Sequence, residues 1–562
     1  MNYKINIFKV VIICFVLIQA KIALCQQPIS MKQVDRIFAD LNKTATPGAS
    51  IAIVQNGKTV FKKGYGMASL EFNIPVNYST VFQVASVSKQ VTAFAVLLLE
   101  NSGKLSLNDD VRKYLPEFPD YGRTITIKNL LFHTSGLRDY WDLLSMAGWR
   151  YDDVITKNQL LSMIYRQKGL NSMPGYEYIY SNTGYVILAE IVSKISGMSF
   201  SDFTHENIFK PLKMNNTLFL DDNEKVVRNF AESYNLSSGT YKKSRLNHSN
   251  TGSTNLLTTV EDMALWAANF EDPVVGSRDL IREMDTPGTL YSGDSLSYAM
   301  GQETGIYKGL RLIGHRGAEC GYRSMIVRFP SQHLSIIIFA NNGSVDPTAL
   351  GLAVADIILK DKYVSDLQQI SLPALPTQDE YTGEKEILKS YSGNYELRPG
   401  FIIYITLEDG NLFAEAHELP KSQLIRISHS EFTLPAVNAK LTFSDTGTAD
   451  KNNLIVDLNG QQMTAIKIKE FDTSSANPDD FMGDFYSPEL GTIYTFTSGG
   501  GQLFVTHPRI DEFSLIPTGP DQFSSDKSFF NRVEFLRDSE KNVTGCMISA
   551  GRIRNINLIK IE

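Results

Sequence analysis

The sequence predicts a multidomain α+β protein, in which a mixed domain of sheet and helices is followed by two small antiparallel β-barrels. Two observations indicate this arrangement. The alternation of strand and helix patterns stops near residue 365, and the β-rich remainder contains an internal repeat. The length of 562 residues also exceeds what a single hydrophobic core usually holds.

The first part of the chain mixes strand and helix patterns. The segment "ASIAIVQNGKTVFKKGYG" has strand-like residues on both sides of Asn56-Gly57, the dipeptide favoured in two-residue hairpin turns. The segment "GYVILAEIVSKISG" has the apolar spacing of an amphipathic helix. We therefore predict one mixed domain over residues 26–362, followed by a polar, proline-containing linker over 363–386.

The β-rich part repeats itself. "YSGNYEL" at 391 corresponds to "FMGDFYS" at 481, "NLFAEA" at 411 to "QLFVTH" at 502, and "IKI" at 466 to "IKI" at 559. The offset grows only from 90 to 93, as a duplicated unit of about eight strands would leave it. We predict one barrel over 387–472 and a second over 473–562. The alternative is a single large sandwich with coincidental similarity.

Residues 1–25 are typical of a secretory signal peptide. Lys4 and Lys9 supply positive charge, residues 10–20 are mostly apolar, and Ala23 and Cys25 place small residues at a cleavage site. We expect a secreted or periplasmic protein with no stable membrane span once the signal is removed. A lipid-modified Cys25 is the alternative, which the bulky Leu24 disfavours.

Composition excludes several function classes. The formal charge is -7 and there is no long basic run, so nucleic acid is not an expected partner. Outside the signal, the cysteines Cys320 and Cys546 lie far apart, and we expect two unpaired thiols rather than a disulfide scaffold. Metal-binding, P-loop and calcium-type motifs are absent from the sequence, and no cofactor is expected.

The stretch "QVASVSKQVTAFAVLLLENSGK", residues 83–104, places Ser86 three residues before Lys89 at the start of a helical pattern. On one helix face the amine lies within reach of the hydroxyl and could take its proton. The alternative is an ordinary capped and solvated helix start. One other serine, Ser524, has lysine at this spacing, but it lies in a polar turn with no helix after it.

Two further short motifs are unique in the chain. Tyr180 alone among 25 tyrosines is followed by asparagine at the second place, Asn182, in "GYEYIYSNTGYVIL". His315 alone among eight histidines is followed there by glycine, Gly317, in "LIGHRGAECGYRSMIVRF". Each motif by itself is more often a packing or turn residue.

Together, in this order, the three motifs resemble those of the serine β-lactamase and penicillin-binding protein superfamily. "SVSK" with "YSN" is most similar to class C β-lactamases and their peptidase and esterase relatives. The flanks "LLFHTSGL" at 130, "NIFKPLKMNNT" at 207 and "NLLTTVEDMALW" at 255 resemble the same group. The resemblance covers roughly residues 30–360. It implies a β-lactamase/transpeptidase-like catalytic domain, an antiparallel sheet flanked by helices. Two barrels after such a domain resemble the lipocalin-like barrels of D-aminopeptidase.

The resemblance implies a role for each motif residue. Ser86 would be the acylated nucleophile, Lys89 its proton acceptor, and Tyr180 the proton carrier to the leaving group and later to the deacylating water. Asn182 would hold the substrate amide. His315, Gly317 and Ala318 form the third element, in which the backbone N–H of Ala318 joins that of Ser86 in the oxyanion hole.

His315 stands where true β-lactamases usually have lysine, although Arg316 and Arg323 could supply charge nearby. This difference favours D-aminopeptidase, D-Ala-D-Ala carboxypeptidase and esterase relatives. We expect an acyl-enzyme hydrolase of short D-amino acid peptides, esters or amides, with a β-lactamase or a silent penicillin-binding or sensing protein as alternatives. Substrates would be small peptides, esters or β-lactams. The barrels would restrict the substrate or serve as spacers or oligomerisation surfaces, and the oligomeric state stays open.

Overall fold

The computed structural model describes residues 31–363, 381–398, 400–416, 419–437, 439–444, 453–458, 461–468, 471 and 476–561. The predicted signal peptide and residues 364–380 of the predicted linker lie outside this range. Within it, the fold class is confirmed, because a mixed sheet-and-helix domain precedes two separate barrel-like antiparallel sheets.

The helices belong mostly to the first domain, and several begin at a capping side chain. Thr156 and Asp346, for example, accept hydrogen bonds from backbone N–H groups of the first turn. The α-helices of the described residues are Met31–Ile37, Ser88–Asn101, Ile127–Leu131, Tyr140–Met146, Lys157–Tyr165, Asn182–Ser196, Phe200–Thr204, Val260–Asn269, Arg278–Met284, Pro347–Leu359 and Tyr381–Tyr391. None of the helices in these ranges is both long and apolar enough to cross a membrane.

A seven-stranded antiparallel sheet forms the centre of the first domain. Its strands, in spatial order, are Tyr298–Ala299, Gln302–Tyr307, Leu310–Glu319, Tyr322–Phe329, Leu334–Ala340, Ala49–Gln55 and Lys58–Tyr65. Asn56 and Gly57 adopt φ values of 51° and 70° between the last two strands, which confirms the predicted hairpin turn. Short strands beside this sheet are Met67–Ser69, Ile74–Pro75, Phe82–Gln83, Val154–Ile155, Leu218–Phe219, Tyr234–Ser237, Thr240–Lys243, Asn247–His248 and Leu256–Thr258.

Both faces of the sheet are buried, and side chains alternate between them. Ile51 and Ile53 join the core under Met31–Ile37 and Pro347–Leu359, whereas Ala52 joins the opposite core, which contains the Ser88–Asn101 helix. The helix that follows the predicted nucleophile is therefore packed against the middle of the domain, with its first turn beside the sheet.

The sheet has an open edge next to that first turn. Pairing between Gln302–Tyr307 and Leu310–Glu319 ends at Glu303 and Gly314, so residues 315–319 have a strand partner on one side only among the described residues. A Cβ on Gly317 would lie 2.5 Å from the carbonyl oxygen of Val84. Glycine is thus required where the strand touches the backbone before Ser86.

The two barrels share one topology. The second is a closed barrel of eight strands, Gly483–Ser487, Thr492–Gly499, Gln502–His507, Ile510–Gly519, Gln522–Ser524, Arg532–Arg537, Val543–Ala550 and Ile553–Ile561. The first is a nine-stranded sheet, Gly393–Arg398, Phe401–Glu408, Asn411–Ala416, Leu419–Gln423, Ile425–Arg426, Glu431–Leu434, Ala439–Phe443, Leu454–Leu458 and Gln461–Ile468. The two edge strands of this sheet, Leu419–Gln423 and Ile425–Arg426, follow each other in the chain, and together they correspond to the single strand Ile510–Gly519 of the second barrel. The backbone at Leu424 therefore connects the two edges and completes the ring.

Equivalent packing details support the duplication. Gly393 and Gly483 have φ values of 138° and 131°, and a Cβ on either would meet the aliphatic stem of Lys467 or Lys560, respectively. In both barrels this lysine amine lies 5.7 Å from the ring centroid of the aromatic residue two positions after the glycine. The alternative of one large sandwich is wrong. Of the two thiols, Cys546 is buried in the second barrel, and both Cys320 and Cys546 are free.

The second barrel is fixed against the first domain by a buried ion pair. The side chains of Arg138 and Glu489 are 3% and 5% exposed, and their charged groups are in direct contact. The same guanidinium donates to the backbone carbonyl oxygens of Arg554 and Asn555 at 3.1 and 2.8 Å. One carboxylate and two backbone carbonyl groups of the barrel therefore bind a single arginine side chain of the first domain.

Replacing Glu489 with alanine should loosen this attachment, since it leaves a buried guanidinium without its carboxylate. We expect a loss of roughly 3 kcal/mol of stability, typical of breaking a buried ion pair, measured from the urea unfolding midpoint. The control is Asp279→Ala, which breaks the exposed pair with Arg282 and should leave the midpoint unchanged. Equal midpoints for the two variants would contradict the assignment.

Candidate active site

Ser86 lies in a strained turn directly before a helix. A 3₁₀ turn, Ala85–Val87, precedes the α-helix, which begins at Ser88 and not at Ser86 as the helical pattern suggested. Ala85 has a φ of 45°, a conformation that costs free energy in a residue with a Cβ, and its N–H donates to Gln83 Oε1 at 3.1 Å. The strain places Ser86 at the wall of a cleft, while Ser88 is fully buried beneath it.

Lys89 points from the first helical turn toward Ser86. Its amine is completely buried and lies 3.1 Å from Ser86 Oγ, 2.7 Å from Asn182 Oδ1 and 2.9 Å from the carbonyl oxygen of Ser253. A neutral amine has two hydrogens and one lone pair. The two carbonyl-type oxygens can take the hydrogens, which leaves the lone pair facing the serine hydroxyl.

The surroundings of Lys89 favour that neutral form. Burial lowers the pKa of the amine to about 7, because the charged form loses its hydration. The carboxylates of Asp139 and Glu319 act in the opposite direction, and the guanidinium of Arg552 adds to the lowering. Near neutral pH a large fraction of Lys89 can therefore accept a proton.

Tyr180 lies over the same group. Its ring centroid is 4.9 Å from the Lys89 amine and 4.1 Å from the ring of His133. Burial raises the pKa of its phenol well above the usual value, so the hydroxyl keeps its proton at neutral pH and can donate it. His133 Nδ1 accepts the backbone N–H of Ser181 at 3.1 Å, which fixes the loop that carries Tyr180.

Asn182 is held from both sides. Its side-chain oxygen accepts from Lys89, and its Nδ2 donates to Asp139 Oδ2 at 2.9 Å. The backbone N–H of Asn182, the first residue of the Asn182–Ser196 helix, donates to the same carboxylate oxygen at 2.6 Å. One amide hydrogen and one lone pair stay available for the predicted contact with a substrate amide.

His315 is buried and neutral. Its Nδ1 is 2.6 Å from the carbonyl oxygen of Arg316 and therefore carries the proton, while Nε2 lies 3.2 Å from the hydroxyl of Tyr298. Burial lowers the pKa of the imidazole to about 3, and the nearby Lys89 amine adds to the effect. His315 cannot supply a cation to the cleft at physiological pH.

The remaining predicted groups meet the nucleophile at the open sheet edge. Ala318 and Ser86 line one cleft, and Gly317 lies between Ala85 and the side chain of Ser324. The structure thus brings all seven predicted site residues together. Their catalytic roles stay predictions.

The cleft is a cavity of about 1050 Å³ with charged groups in its wall. These groups are Glu303, Arg316, Glu319, Arg323 and Arg552. Arg316 pairs with Glu303 at 3.4 Å, so it is not an isolated cation. Cys320 also lines the cavity, but burial raises the pKa of its thiol to about 12 and makes it a poor nucleophile. No cluster of three or more potential metal ligands occurs in the described part of the chain.

Sequence reasoning missed three charged residues. Asp139 follows the recognised segment "LLFHTSGL" closely, in "RDYW", and Glu319 directly follows Ala318. Each of these two carboxylates lies next to a recognised segment, and this position in the sequence is the signal that could have identified them as site residues. Arg552 belongs to the second barrel, and nothing in its local sequence points to the cleft.

Comparison with known proteins identifies the family of the chain. Residues 34–357, more than half of the chain, match the beta-lactamase family model. The chain belongs to the beta-lactamase family. The predicted superfamily is thereby confirmed. All seven predicted site residues lie inside the matched region.

Relatives of this beta-lactamase family chain include penicillin-binding protein 4* of Bacillus subtilis, which is 27% identical over 78% of this chain and 99% of the relative. Among solved structures, an octameric penicillin-binding protein homologue from Pyrococcus abyssi has a TM-score of 0.53 at 22% identity, covering 78% of this chain and 99% of that one. D-amino acid amidase from Ochrobactrum anthropi has a TM-score of 0.50 at 21% identity, with coverages of 59% and 99%. At these identities the two structures support the fold alone.

The pKa of Lys89 predicts how acylation depends on pH. Below about pH 7 the amine is protonated and cannot accept the Ser86 proton, so the rate of labelling by a fluorophosphonate should rise through pH 7 and then level off. Stopped-flow or gel-based labelling across this range measures the profile. Lys89→Met should lower the rate by about 10²- to 10⁴-fold and remove the step.

The matched control is Lys104→Met, which removes an exposed lysine just beyond the same helix and should leave the profile unchanged. A wild-type labelling rate that stays flat across neutral pH would show that Lys89 is not the proton acceptor.

Proposed function

We propose that the protein is a serine hydrolase that forms an acyl-enzyme on Ser86 and acts on short peptides or amides of D-amino acids. One observation carries the proposal, namely a fully buried amine with a pKa of about 7 that lies 3.1 Å from a serine hydroxyl in a strained turn. This pair is suited to acyl transfer at neutral pH.

The proposed reaction has two halves. Ser86 Oγ attacks the substrate carbonyl carbon while Lys89 takes the hydroxyl proton, and the backbone N–H groups of Ser86 and Ala318 stabilise the oxyanion. The bond to the leaving amine then breaks as Tyr180 donates its proton and is reprotonated from Lys89. A water molecule then gives a proton to the same pair and attacks the acyl-enzyme. The ester bond to Ser86 Oγ breaks, the pair returns the proton to Ser86 Oγ, and the acid is released.

Glu319 supports a substrate with a free amino group. Its side chain is only 8% exposed, and Oε2 accepts from Gln83 and Thr254. Within the described residues Oε1 has no hydrogen-bond partner, although Glu319 lines the cleft directly after Ala318. A substrate ammonium bound there would favour the ionised carboxylate, whose pKa burial otherwise raises. This arrangement fits an N-terminal residue as the acyl group.

Two of the similar proteins bear on the choice of substrate. D-amino acid amidase gives the amide of a D-amino acid as the first substrate to try. The similarity to penicillin-binding protein 4* makes penicillin the second candidate ligand. A neutral His315 supplies no cation for the β-lactam carboxylate, and for this reason we rank penicillin behind the amides.

We also propose that residues 1–25 direct export to the periplasm or the medium.

The test is intact-mass spectrometry of wild type and Ser86→Ala with a fluorophosphonate and, separately, benzylpenicillin. It is combined with turnover of D- and L-phenylalanine amide and N-acetyl-D-phenylalanine amide. We expect one fluorophosphonate adduct that Ser86→Ala lacks, and hydrolysis of the free D-amide in preference to the other two. An adduct with benzylpenicillin would show that the protein also binds β-lactams.

Glu319→Gln sharpens the test of the substrate class. It keeps the shape and the bonds to Oε2, removes the charge, and should raise KM for D-phenylalanine amide by about tenfold, the loss typical of one charge-assisted contact. Glu303→Gln, at another carboxylate of the cleft wall, is the control. No fluorophosphonate adduct would refute the hydrolase, whereas faster turnover of N-acetylated substrate would refute the amino-end assignment alone.

A further inference from the structure

The second barrel inserts an arginine into the first domain beside the catalytic residues. Arg552 lies in the turn between Val543–Ala550 and Ile553–Ile561, and its side chain lines the cleft. Its backbone N–H donates to Asp142 Oδ2 at 2.8 Å, and Nη2 donates to Asp139 Oδ1 at 2.9 Å. The preceding Gly551 has a φ of 56°, and a Cβ there would come within 2.8 Å of the Asp142 carboxylate. The turn is therefore shaped for close approach.

Asp139 connects this arginine to the predicted catalytic groups. One carboxylate oxygen, Oδ1, accepts from Arg552, while Oδ2 accepts from the backbone N–H and Nδ2 of Asn182. Asn182 Oδ1 in turn accepts from Lys89 Nζ, which lies 3.1 Å from Ser86 Oγ. An unbroken path of polar contacts runs from a residue of the barrel to the nucleophile of the first domain.

Asp139 needs the arginine electrostatically. Its side chain is completely buried, and burial raises the pKa of its carboxyl. Arg552 favours the ionised form, and the neighbouring Asp142 carboxylate opposes it. The titratable or charged groups that influence or lie against Lys89 are Asp139, Glu319, Arg552, His133, His315, Tyr180 and Tyr185. Both histidines are held neutral and both phenols protonated, so Arg552 is the cation in this set that opposes the two carboxylates. The same guanidinium also pairs with Asp142 at 3.4 Å.

We propose that Arg552 is a positioning residue of the active site, which holds Asp139 ionised and oriented so that Asn182 and Lys89 keep their proton-accepting arrangement. The active site is then complete only when the second barrel is docked. The proposal rests on the Ser86 and Lys89 chemistry proposed above and adds a residue that acts without touching the substrate carbonyl.

The test compares full-length Arg552→Gln and Arg552→Lys with wild type. The guanidinium of Arg552 itself lowers the pKa of the Lys89 amine, so its loss removes a positive charge that disfavours the ammonium form. We expect the midpoint of the fluorophosphonate pH profile to rise by about one unit in Arg552→Gln, with a rate at pH 7 lower by about fivefold, since the neutral fraction of the amine falls accordingly. Arg552→Lys keeps the charge and should retain most of the wild-type rate.

Arg554→Gln is the matched control from the same segment of the barrel. Arg554 pairs with Glu177 at 2.9 Å, and its backbone N–H donates to Asn171 Oδ1 at 2.7 Å, but it makes no contact with Asp139. It should weaken docking, seen as a lower thermal midpoint, and leave the pH midpoint unchanged. A change in thermal stability shared by Arg552→Gln and Arg554→Gln, with an unshifted pH midpoint in both, would overturn the proposal.

A second readout does not require activity. In protein labelled with ¹³C-lysine, the Lys89 resonance is identified by its absence in Lys89→Met, and its titration gives the pKa of the amine directly. A higher pKa in Arg552→Gln than in Arg554→Gln supports the positioning role, and equal values refute it. If wild type forms no adduct, the proposed hydrolase fails, while the NMR titration still decides the role of Arg552.

Discussion

The burial of one lysine amine is the constraint on which the site depends. A fully buried ammonium is costly, and Lys89 avoids that cost by titrating near neutrality and by having every hydrogen and its lone pair matched to a partner. Each partner comes from a different part of the first domain. Ser86 comes from the preceding turn, Asn182 starts a second helix, and Ser253 offers a backbone oxygen.

The fold satisfies this constraint by crowding rigid elements around the amine. The glycine at 317 lets the sheet edge touch the turn that carries Ser86, and Gly301 lets the backbone before Gln302–Tyr307 touch the carbonyl of Lys89 itself. Backbone lies against backbone at both places, and the side chain of Lys89 is fully buried. The same burial lowers the pKa of His315, so this imidazole is neutral and supplies no cation to the cleft.

Local spacing explains which parts of this site are visible in the sequence. Ser86 and Lys89 are three residues apart, and Tyr180 and Asn182 two apart, so one turn of chain determines each pair. The barrel duplication is also visible in the sequence, because similar strand segments recur at a nearly constant offset. The break at Leu424, which divides one strand of the first barrel into two, left no such trace. Asp139, Glu319 and Arg552 depend on contacts between distant segments, which no single window of sequence specifies.

The duplication also sets apart what the two barrels contribute to the cleft, whose wall includes Leu458 of the first barrel and Arg552 of the second. Between the last two strands of the second barrel the chain reads Gly551-Arg552, whereas the corresponding residues of the first repeat are Asn459 and Gly460. The first barrel instead pairs with the second, through Glu396 and Arg532 at 3.2 Å. A copied domain can diverge at its turns without disturbing its core, because turn residues carry little of the packing. The second copy therefore brings the charged side chain of Arg552 to the cleft, whereas the first brings the apolar side chain of Leu458.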